Sequence, residues 1–407
     1  MPTETRSEAL RFLLAGGAEV VPADGLAQKL ALGRPLRVKL GLDPTAPAVT
    51  LGWAVVLRKL RQFQDLGHRA VLIVGDFTAR VGDPSGRSET RPRLEAEVVR
   101  AYAERLLQQF WLILDRERTE VRYNAEWLEP LDMETVLRLT ATSTVARMLE
   151  RDDFHRRYAE GRPISVMEFL YPLLQAYDSV AVRADVELGG SDQRFNLLVG
   201  RDVQRAWGQE PQVALTMPLL VGTDGVQKMS QSLGNYVGVT EPPDEMYGKL
   251  VRIPDGLIAD YRLLCLDFFR DPEEAERVRA GLASGALRAW TEKRRLAREV
   301  VDLYHGVGAG AEAERRFDLV HREREVPEEV EERELPAAWA RDGRYWLPRV
   351  LWGLGLASSK SEAQRLIRQG GVRVDGAPVT DAEREFERGE LVGRVLQVGR
   401  RRFVRLT

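Results

Sequence analysis

One predicted helix carries three polar side chains that could bind a small polar molecule. Tyr171, Gln175 and Asp178 stand at positions i, i+4 and i+7, so on a helix they lie on one face. A phenol, an amide and a carboxylate are unusual together in an apolar stripe, and they suit recognition of an amine or a hydroxyl group. An ordinary solvent-exposed helix face is the alternative.

Two glycine-bounded segments could approach a nucleotide closely. Gly189 and Gly190 precede a predicted helix, and Asp192 could either cap that helix or hold a ribose. Gly225–Asn235 is a polar loop with one lysine, Lys228, after a buried strand, which suits a mobile phosphate-binding lid. A solvated surface loop is the alternative for this second segment.

Two predicted turns add to these candidates. Asp43–Trp53 joins a strand to a helix, and the first such turn is the usual ligand site of an open parallel sheet, because helix N-termini present free N–H groups to anions. Gly52 allows close backbone approach there, although simple packing explains it as well. Gly82–Arg87 contains Asp-Pro-Ser-Gly, which is also an ordinary turn sequence.

A strand–loop–helix–strand unit must position the first turn. Residues 37–42 form a short strand, and from Gly52 onward apolar residues recur at three- and four-residue steps. Residues 70–75 are a continuous apolar run, typical of a strand covered on both faces. This order predicts a βαβ unit with a right-handed crossover. Similar material continues to residue 220, where Thr216–Val221 is predicted as another buried strand.

The remaining segments differ in pattern. Residues 7–32 are predicted to be helical, and residues 237–330 are predicted to be mainly helical. Near the C-terminus, helical pieces, a strand with a turn at 372–376 and a hairpin over 394–405 are predicted. Residues 344–407 contain thirteen Lys or Arg and seven Asp or Glu, so this part is a candidate nucleic-acid module or an ordinary basic surface.

The composition bounds the protein class. The 407 residues indicate two to four domains at about 100–200 residues each. With 44% apolar and 30% charged residues, a disordered chain, a fibre and a membrane bundle are excluded. The single cysteine, Cys265, excludes an intramolecular disulfide and a Cys-rich zinc site, and only four histidines are present. No metal site is predicted. Residues 1–6 lack the pattern of a signal peptide, so a cytoplasmic protein is expected.

Taken in order, these segments resemble the tyrosyl-tRNA synthetases, which are class I aminoacyl-tRNA synthetases. Gly41–Thr45 is similar to the first-strand signature of that family, and Lys228–Ser232 is similar to its Lys-Met-Ser-Lys-Ser loop. Gly82–Gly86, Tyr171–Asp178 and Gly189–Gln193 resemble its tyrosine pocket. The last sixty residues resemble the small RNA-binding domain that the family shares with ribosomal protein S4.

The resemblance implies an α/β fold: a Rossmann-like parallel-sheet catalytic domain, an α-helical domain and a small C-terminal α+β S4-like domain. The expected divisions are an N-terminal helical segment (1–34), the catalytic domain (35–222), a mobile lysine loop (223–236), a helical anticodon-recognition-like domain (237–330), a linker (331–344) and the S4-like RNA-binding domain (345–407).

The implied reaction has two steps: tyrosine attacks the α-phosphate of ATP, and the tyrosyl group then moves to the terminal ribose of its tRNA. By resemblance, Asp83, Tyr171 and Gln175 hold the substrate ammonium, Asp178 accepts from the phenol hydroxyl, and Gln193 positions the carboxylate. Lys39 stands where many members carry a tyrosine, and it could donate to the substrate hydroxyl.

The implied nucleotide-binding residues are Asp43, Gly52, Gly190, Asp192 and Met229. The implied catalytic positions are Thr45, Lys228, Thr50, Trp53 and Gln231. The implied RNA-binding residues are Arg365, Arg368 and Arg373.

The resemblance also implies the partners. These are tyrosine, ATP with Mg²⁺ as a co-substrate, tRNA or another RNA, and a second copy of the chain in a homodimer. No tightly bound cofactor and no membrane contact are expected.

Three positions depart from the family pattern. The family's His-x-Gly-His motif falls on residues 50–53, where this chain has Thr50 and Trp53 in place of both histidines. Gln231 replaces the second lysine of the loop. Losing two imidazoles that bond to charged groups is worth roughly 10²–10⁴ in rate. Losing one preorganised charge donor is worth about 10²–10³ more, so a combined loss on the order of 10⁴ is expected.

Three hypotheses follow. The chain is a tyrosine–tRNA ligase with a variant ATP site, a paralogue that binds tyrosine without forming the adenylate, or an enzyme that has kept the pocket for other chemistry. The lost charge donors favour the second or the third. Trp53 could fill the adenosine space or stack on the adenine, while Thr50 could hydrogen-bond a phosphate.

Overall fold

The computed structural model describes residues 3–82, 95–323, 330–399 and 402–407. The chain divides into two compact units, one ending at Ala313 and the other running from Glu314 to Thr407. Within the described ranges, no helix is both long and apolar enough to cross a membrane.

A six-stranded sheet forms the centre of the first unit. Its strands are β1 (Glu19–Val21), β2 (Arg37–Leu42), β3 (Arg69–Val74), β4 (Thr119–Tyr123), β5 (Val186–Gly190) and β6 (Val213–Met217). Their order is β1-β6-β5-β2-β3-β4; β2 to β6 are parallel, and β1 pairs antiparallel at one edge. This confirms the predicted parallel sheet.

Helices surround the sheet and continue beyond it. In chain order they are α1 (Thr3–Leu14), α2 (Gly25–Ala31), α3 (Leu51–Asp65), α4 (Thr78–Val81), α5 (Ala96–Phe110), α6 (Ala125–Leu128), α7 (Met133–Thr140), α8 (Val145–Met148), α9 (Asp152–Ala159), α10 (Val166–Val182), α11 (Arg194–Ala206), α12 (Pro243–Leu250), α13 (Ile258–Cys265), α14 (Pro272–Ala283), α15 (Ala289–His305) and α16 (Ala309–Glu323). The described regular elements of residues 237–330 are thus helical, as the sequence predicts.

The strand order places a topological switch point at the centre of the sheet. From β2 the chain crosses to β3 on one side, whereas β5 lies on the other side of β2. Ligands of open α/β sheets bind at such a point, outside the carboxyl ends of the strands. The residues that follow β2, β3, β4 and β5 therefore meet at one edge, which is where the predicted turn Asp43–Trp53 begins.

Helix α10 brings the predicted Tyr171–Asp178 face to this edge. It begins at a capping box in which the Ser165 hydroxyl and the Glu168 carboxylate satisfy free backbone N–H groups. A buried ion pair between Arg157 and Glu168 holds its first turn. Its end is set by Arg183, whose φ of 50° lies in the left-handed region.

Two predictions for the first unit need correction. The N-terminal segment is not wholly helical, because Glu19–Val21 form β1, a short run with two β-branched residues after Gly16 and Gly17. Strand β6 ends at Met217, four residues before the predicted end, because Pro218 has no N–H to donate to the ladder.

The second unit mixes short strands and helices. Its elements are β7 (Glu332–Arg333), β8 (Arg344–Trp346), α17 (Leu347–Gly353), α18 (Lys360–Arg368), β9 (Val372–Val374), β10 (Ala377–Pro378), β11 (Glu385–Glu387), α19 (Arg388–Leu391), β12 (Val395–Val398) and β13 (Arg402–Leu406). The predicted C-terminal hairpin is confirmed as β12 and β13. Residues 331–344, expected as a linker, contain β7, which pairs with β13, and Leu335, which is buried in the apolar core of this unit.

Candidate functional site

Asp43 connects three elements at the carboxyl edge of the sheet. It follows β2 directly, its Oδ1 accepts from the Thr78 hydroxyl at 2.7 Å, and its Oδ2 accepts from the Tyr171 hydroxyl at 2.9 Å. A Cβ at Gly75 would lie 2.0 Å from Asp43 Oδ1, so only glycine fits at the end of β3. The backbone N–H of Thr45 donates to the Asp43 carbonyl at 2.8 Å. The predicted residues Asp43, Thr45 and Tyr171 are thus brought together.

Asp178 is a buried carboxyl group with two fixed donors. It is 3% exposed, and it accepts from Trp127 Nε1 at 2.8 Å and from Asn124 Nδ2 at 3.4 Å. Burial raises the pKa of Asp178 to about 7, while the charge of Lys39 and the two donors act in the opposite direction. Sequence reasoning missed Asn124 and Trp127. The signal that points to them is their position immediately after β4, at the same sheet edge.

The Lys39 side chain is buried, and its ammonium is paired within the fold. Its ammonium lies 2.9 Å from Glu187 Oε1, 2.8 Å from Ser179 Oγ and 2.9 Å from the Gln175 carbonyl oxygen. These three acceptors use all three ammonium hydrogens, so none is left for a ligand hydroxyl, contrary to the expectation from the sequence. Lys39 and Glu187 form a fully buried ion pair beneath the Tyr171–Asp178 face instead.

The two predicted glutamines share one neighbour. Asn196 Nδ2 donates to Gln175 Oε1 at 3.0 Å and to Gln193 Oε1 at 3.1 Å. Asn196 is itself fixed by Arg151, whose guanidinium donates to Asn196 Oδ1 at 3.0 Å. Glu187 and Asn196 are further residues that sequence reasoning missed, because their side chains carry no motif.

The loop lysine contacts the predicted ribose residue. Lys228 Nζ lies 2.6 Å from Asp192 Oδ2, with both side chains partly exposed. Gly190 is required beside them, since a Cβ there would lie 2.7 Å from Asp192 Oδ1 and 2.9 Å from the Leu219 side chain. Met229 is buried, and a Cβ at Gly52 would lie 3.5 Å from its Cβ. Among the predicted nucleotide-binding residues, Gly190 thus lies against Asp192, and Gly52 lies against Met229.

The three unusual positions lie beside this cluster. Thr50 is buried and is the N-cap of α3, where its hydroxyl oxygen accepts from the Trp53 N–H at 3.3 Å. The Trp53 ring is stacked on Phe110, with centroids 6.3 Å apart and planes at 19°, and the residue is 39% exposed. Gln231 Nε2 donates to the Ala48 carbonyl oxygen at 3.1 Å.

Four of the predicted residues remain. Asp83 and the rest of 83–94 fall outside the described residues. In the second unit, Arg365 and Arg368 lie on α18 and Arg373 on β9, all exposed. Among the residues with described positions, no group of three or more His, Cys, Asp or Glu side chains could hold a metal ion.

Two family models match the chain. Residues 31–322 match the model described as "tRNA synthetases class I (W and Y)", and residues 346–392 match the S4 domain. A tyrosine–tRNA ligase of Moorella thermoacetica is 54% identical over 98% of this chain and 95% of its own length. The chain belongs to the class I tyrosyl-tRNA synthetase family.

Further members of the family support this assignment. Tyrosine–tRNA ligases of Symbiobacterium thermophilum and Thermotoga maritima are 50% and 47% identical over 98% and 99% of this chain, and over 97% and 98% of their own lengths. The tyrosyl-tRNA synthetase of Archaeoglobus fulgidus, solved with L-tyrosine, covers 76% of this chain and 99% of its own, with a TM-score of 0.61 and 25% identity.

The family pattern divides these residues into a tyrosine half and an ATP half. The residues that the family pattern assigns to the tyrosine half lie around Asp178 and the two glutamines, where Asp178, Asn124 and Asn196 are buried. The ATP half, around Asp192 and Lys228, has a threonine, a tryptophan and a glutamine where the family pattern has two histidines and a lysine. The sequence matches therefore establish the family.

We predict that Trp127→Phe shifts the pH dependence of tyrosine binding. The indole N–H stabilises the Asp178 carboxylate, so removing it raises a pKa that already lies near 7. A phenol donates to the carboxylate form, so tyrosine affinity falls as pH drops through this pKa, and in the variant the fall begins at higher pH. At pH 7 we expect tyrosine affinity to weaken roughly 10-fold or more, with phenylalanine affinity unchanged. Calorimetric titrations from pH 5.5 to about 8.5 measure both.

Trp207→Phe is the matched control. Trp207 packs in the same apolar cluster as Trp127, with its ring edge-to-face on Tyr177, and it does not contact Asp178. An equal effect of the two substitutions on tyrosine affinity, or an unchanged pH profile for Trp127→Phe, would contradict the role of the indole donor.

Proposed function

We propose that this chain binds tyrosine beside α10 and that its formation of tyrosyl-adenylate is strongly weakened. The observation that carries the proposal is the contrast between the two halves of the site. The tyrosine half keeps a buried acceptor, Asp178, together with its donors, whereas Thr50, Trp53 and Gln231 bring no positive charge to the ATP half.

The tyrosine half offers hydrogen-bond partners to both ends of a bound tyrosine. A phenol hydroxyl reaching Asp178 finds a carboxyl group held by Trp127 and Asn124. A ligand without the hydroxyl leaves this buried carboxyl group unpaired, which is costly and disfavours phenylalanine. At the other end, Tyr171, Gln175 and, by family resemblance, Asp83 are the partners for the ammonium group.

The ATP half lacks the charges that the reaction needs. Pyrophosphate departure spreads negative charge over phosphate oxygens, and preorganised cationic donors stabilise it. Lys228 is retained, but Thr50 serves as a neutral helix cap, Trp53 packs on Phe110, and Gln231 bonds to a carbonyl oxygen. We therefore expect adenylate formation to be slower by a factor on the order of 10⁴. ATP with Mg²⁺ enters as a co-substrate in this scheme.

A working tyrosine–tRNA ligase with a variant ATP site is the second candidate. Full-length relatives of this name at 47–54% identity favour it. Thr50 also retains a hydroxyl hydrogen that could be donated to a phosphate, and Asp192 and Lys228 remain beside each other for ribose and phosphate.

Tyrosine-dependent ATP–pyrophosphate exchange separates the two candidates. We expect calorimetry to detect tyrosine binding, while exchange runs roughly 10⁴ times slower than in the Moorella thermoacetica relative under the same conditions. Exchange within about tenfold of that relative would support the working ligase instead.

Restoring the family residues tests the cause. The combined change Thr50→His, Trp53→His and Gln231→Lys should recover exchange, because it returns three donors to the triphosphate side. Trp290→His, at an exposed tryptophan on α15, is the control and should recover nothing. A triple variant that binds tyrosine and stays inactive would show that these positions do not explain the loss.

We further propose that the second unit binds tRNA or another RNA through Arg365, Arg368 and Arg373. The S4 match over 346–392 supports this, and all three side chains are exposed. Arg368 pairs with Glu383 at 3.3 Å and Arg365 with Glu362 at 3.9 Å. Exposed pairs of this kind are weak, so a phosphate can replace the carboxylate at little cost.

Salt dependence tests the RNA proposal. Changing all three arginines to glutamine should weaken tRNA binding and lower the slope of log K against log salt by roughly 0.7–0.9 for each lost phosphate contact. Arg344→Gln with Arg388→Gln, at exposed arginines outside α18 and β9, is the control in filter-binding titrations. Absent binding, or binding insensitive to salt in the unmodified protein, would contradict the proposal.

We also propose that the chain forms a homodimer through an exposed apolar surface of α7–α10. Five side chains there are 62–78% exposed: Met133, Leu137, Val145, Tyr158 and Val166. The inner sides of the same helices pack in one apolar cluster, so a hydrophobic core holds the helices that carry this surface. Large apolar side chains this exposed on four successive helices indicate an interaction surface, and a second copy of the chain would cover it.

Charge insertion tests the dimer. Sedimentation velocity at micromolar concentration should give a dimer, and Leu137→Glu with Val166→Glu should give a monomer, because the carboxylates would be buried without partners. Val226→Glu with Val307→Glu, at exposed valines outside this surface, should remain dimeric. A monomeric unmodified protein, or a dimer that survives the first pair of changes, would rule out this surface.

A further inference from the structure

Two buried side chains determine which end of the Gln175 amide faces the pocket. Gln175 Nε2 donates to Glu187 Oε1 at 3.2 Å, and Gln175 Oε1 accepts from Asn196 Nδ2 at 3.0 Å. Glu187 is 0% exposed and Asn196 is 1% exposed. A side-chain amide can turn by half a rotation with almost no change in shape, so only the donor or acceptor character of its partners sets its direction.

The partner at the nitrogen end cannot donate. Glu187 is paired with the Lys39 ammonium at 2.9 Å, and its two oxygens also accept from Gln175 Nε2, from Ser179 Oγ and from Gln212 Nε2. A carboxylate surrounded by four donors has no hydrogen of its own to offer. Gln175 must therefore present its nitrogen to Glu187.

The partner at the oxygen end is fixed by an arginine. The Arg151 guanidinium, which has donors only, bonds to Asn196 Oδ1 at 3.0 Å. The Nδ2 of Asn196 must then point the other way, where it meets the oxygens of Gln175 and Gln193 at 3.0 and 3.1 Å. The two ends of the network thus impose the same direction on Gln175 independently.

We propose that Glu187 and Asn196 are positioning residues that fix the amide polarity of Gln175, so that its oxygen is offered to the ammonium group of a bound amino acid. Asn196 also fixes the amide of Gln193. The Gln193 oxygen accepts from Asn196, so the Gln193 nitrogen points away from Asn196 and is the donor for the carboxylate of the bound amino acid. The two glutamines then select an α-amino acid zwitterion over an amine or an acid with the same ring. This inference rests on the proposed binding of tyrosine.

Three ligands that share one ring isolate the effect. L-tyrosine carries both charged groups, tyramine lacks the carboxylate, and 3-(4-hydroxyphenyl)propionate lacks the ammonium. All three carry the phenol, so any change at Asp178 affects them equally and cancels in the ratios of their dissociation constants. Calorimetry, or displacement of tyrosine for the weaker ligands, measures these constants.

Two variants release the glutamines in different ways. Lys39→Met with Glu187→Gln removes both buried charges together, so no charge is left unpaired, and it leaves an amide that can donate or accept. We expect tyrosine and tyramine to weaken about tenfold relative to the propionate. Asn196→Leu releases both glutamines, so we expect the preference for tyrosine over each analogue to fall about tenfold.

A matched control and the wild type make the outcomes distinct. Gln64→Leu removes a buried amide from α3 away from the pocket and should leave all ratios unchanged. Equal weakening of all three ligands in the variants would mean a merely structural role and would overturn this inference alone. A wild type that does not bind tyrosine overturns the proposed function as well. If the double variant lacks a cooperative unfolding transition, the ratios for Asn196→Leu decide.

Discussion

The need to satisfy buried carboxyl groups at the carboxyl edge of the sheet governs the rest of the site. One hydrogen-bond chain runs from Asp43 through Thr78 and Asn124 to Asp178, with steps of 2.7, 3.0 and 3.4 Å. An unpaired buried carboxyl group would cost several kcal/mol, on the order of 2–5. Strand β2, helices α4 and α10 and the segment after β4 are therefore held in one arrangement, and the spacing between the two ends of the pocket follows from it.

Each of the three unusual residues at the proposed ATP half has a partner within the fold. Thr50 is a favourable N-cap, because its hydroxyl oxygen accepts from the Trp53 N–H in the first turn of α3. Trp53 gains a stacked partner in Phe110, and Gln231 ties the lysine loop to the Ala48 carbonyl oxygen. Each replacement thus has a partner within the fold, so the proposed loss of activity concerns charge at the triphosphate and not the folding of the domain.

Much of the fold and part of the site could be predicted from the sequence, for local reasons. The Tyr171–Asp178 face follows from helical spacing, and the buried strands follow from continuous apolar runs. Lys39 could not be assigned in this way, because its partner Glu187 lies on another strand and only the parallel register of β2 and β5 brings them together. Asn196 and Trp127 likewise act through residues distant in sequence, and β1 depends on the free edge of β6.

The contact between Lys228 and Asp192 is not by itself a barrier to ATP. Both side chains are partly exposed, and an ion pair in that setting contributes about 0–1 kcal/mol, so ribose hydroxyl groups can replace the lysine at Asp192. Once the ribose has displaced it from Asp192, the Lys228 ammonium would be able to move toward the phosphates of ATP. The family pattern gives this role to the lysine of the loop. The Gln231 contact to a carbonyl oxygen is similarly weak. The proposed weakening of adenylate formation therefore rests on the cationic side chains that Thr50, Trp53 and Gln231 replace, and not on a closed loop.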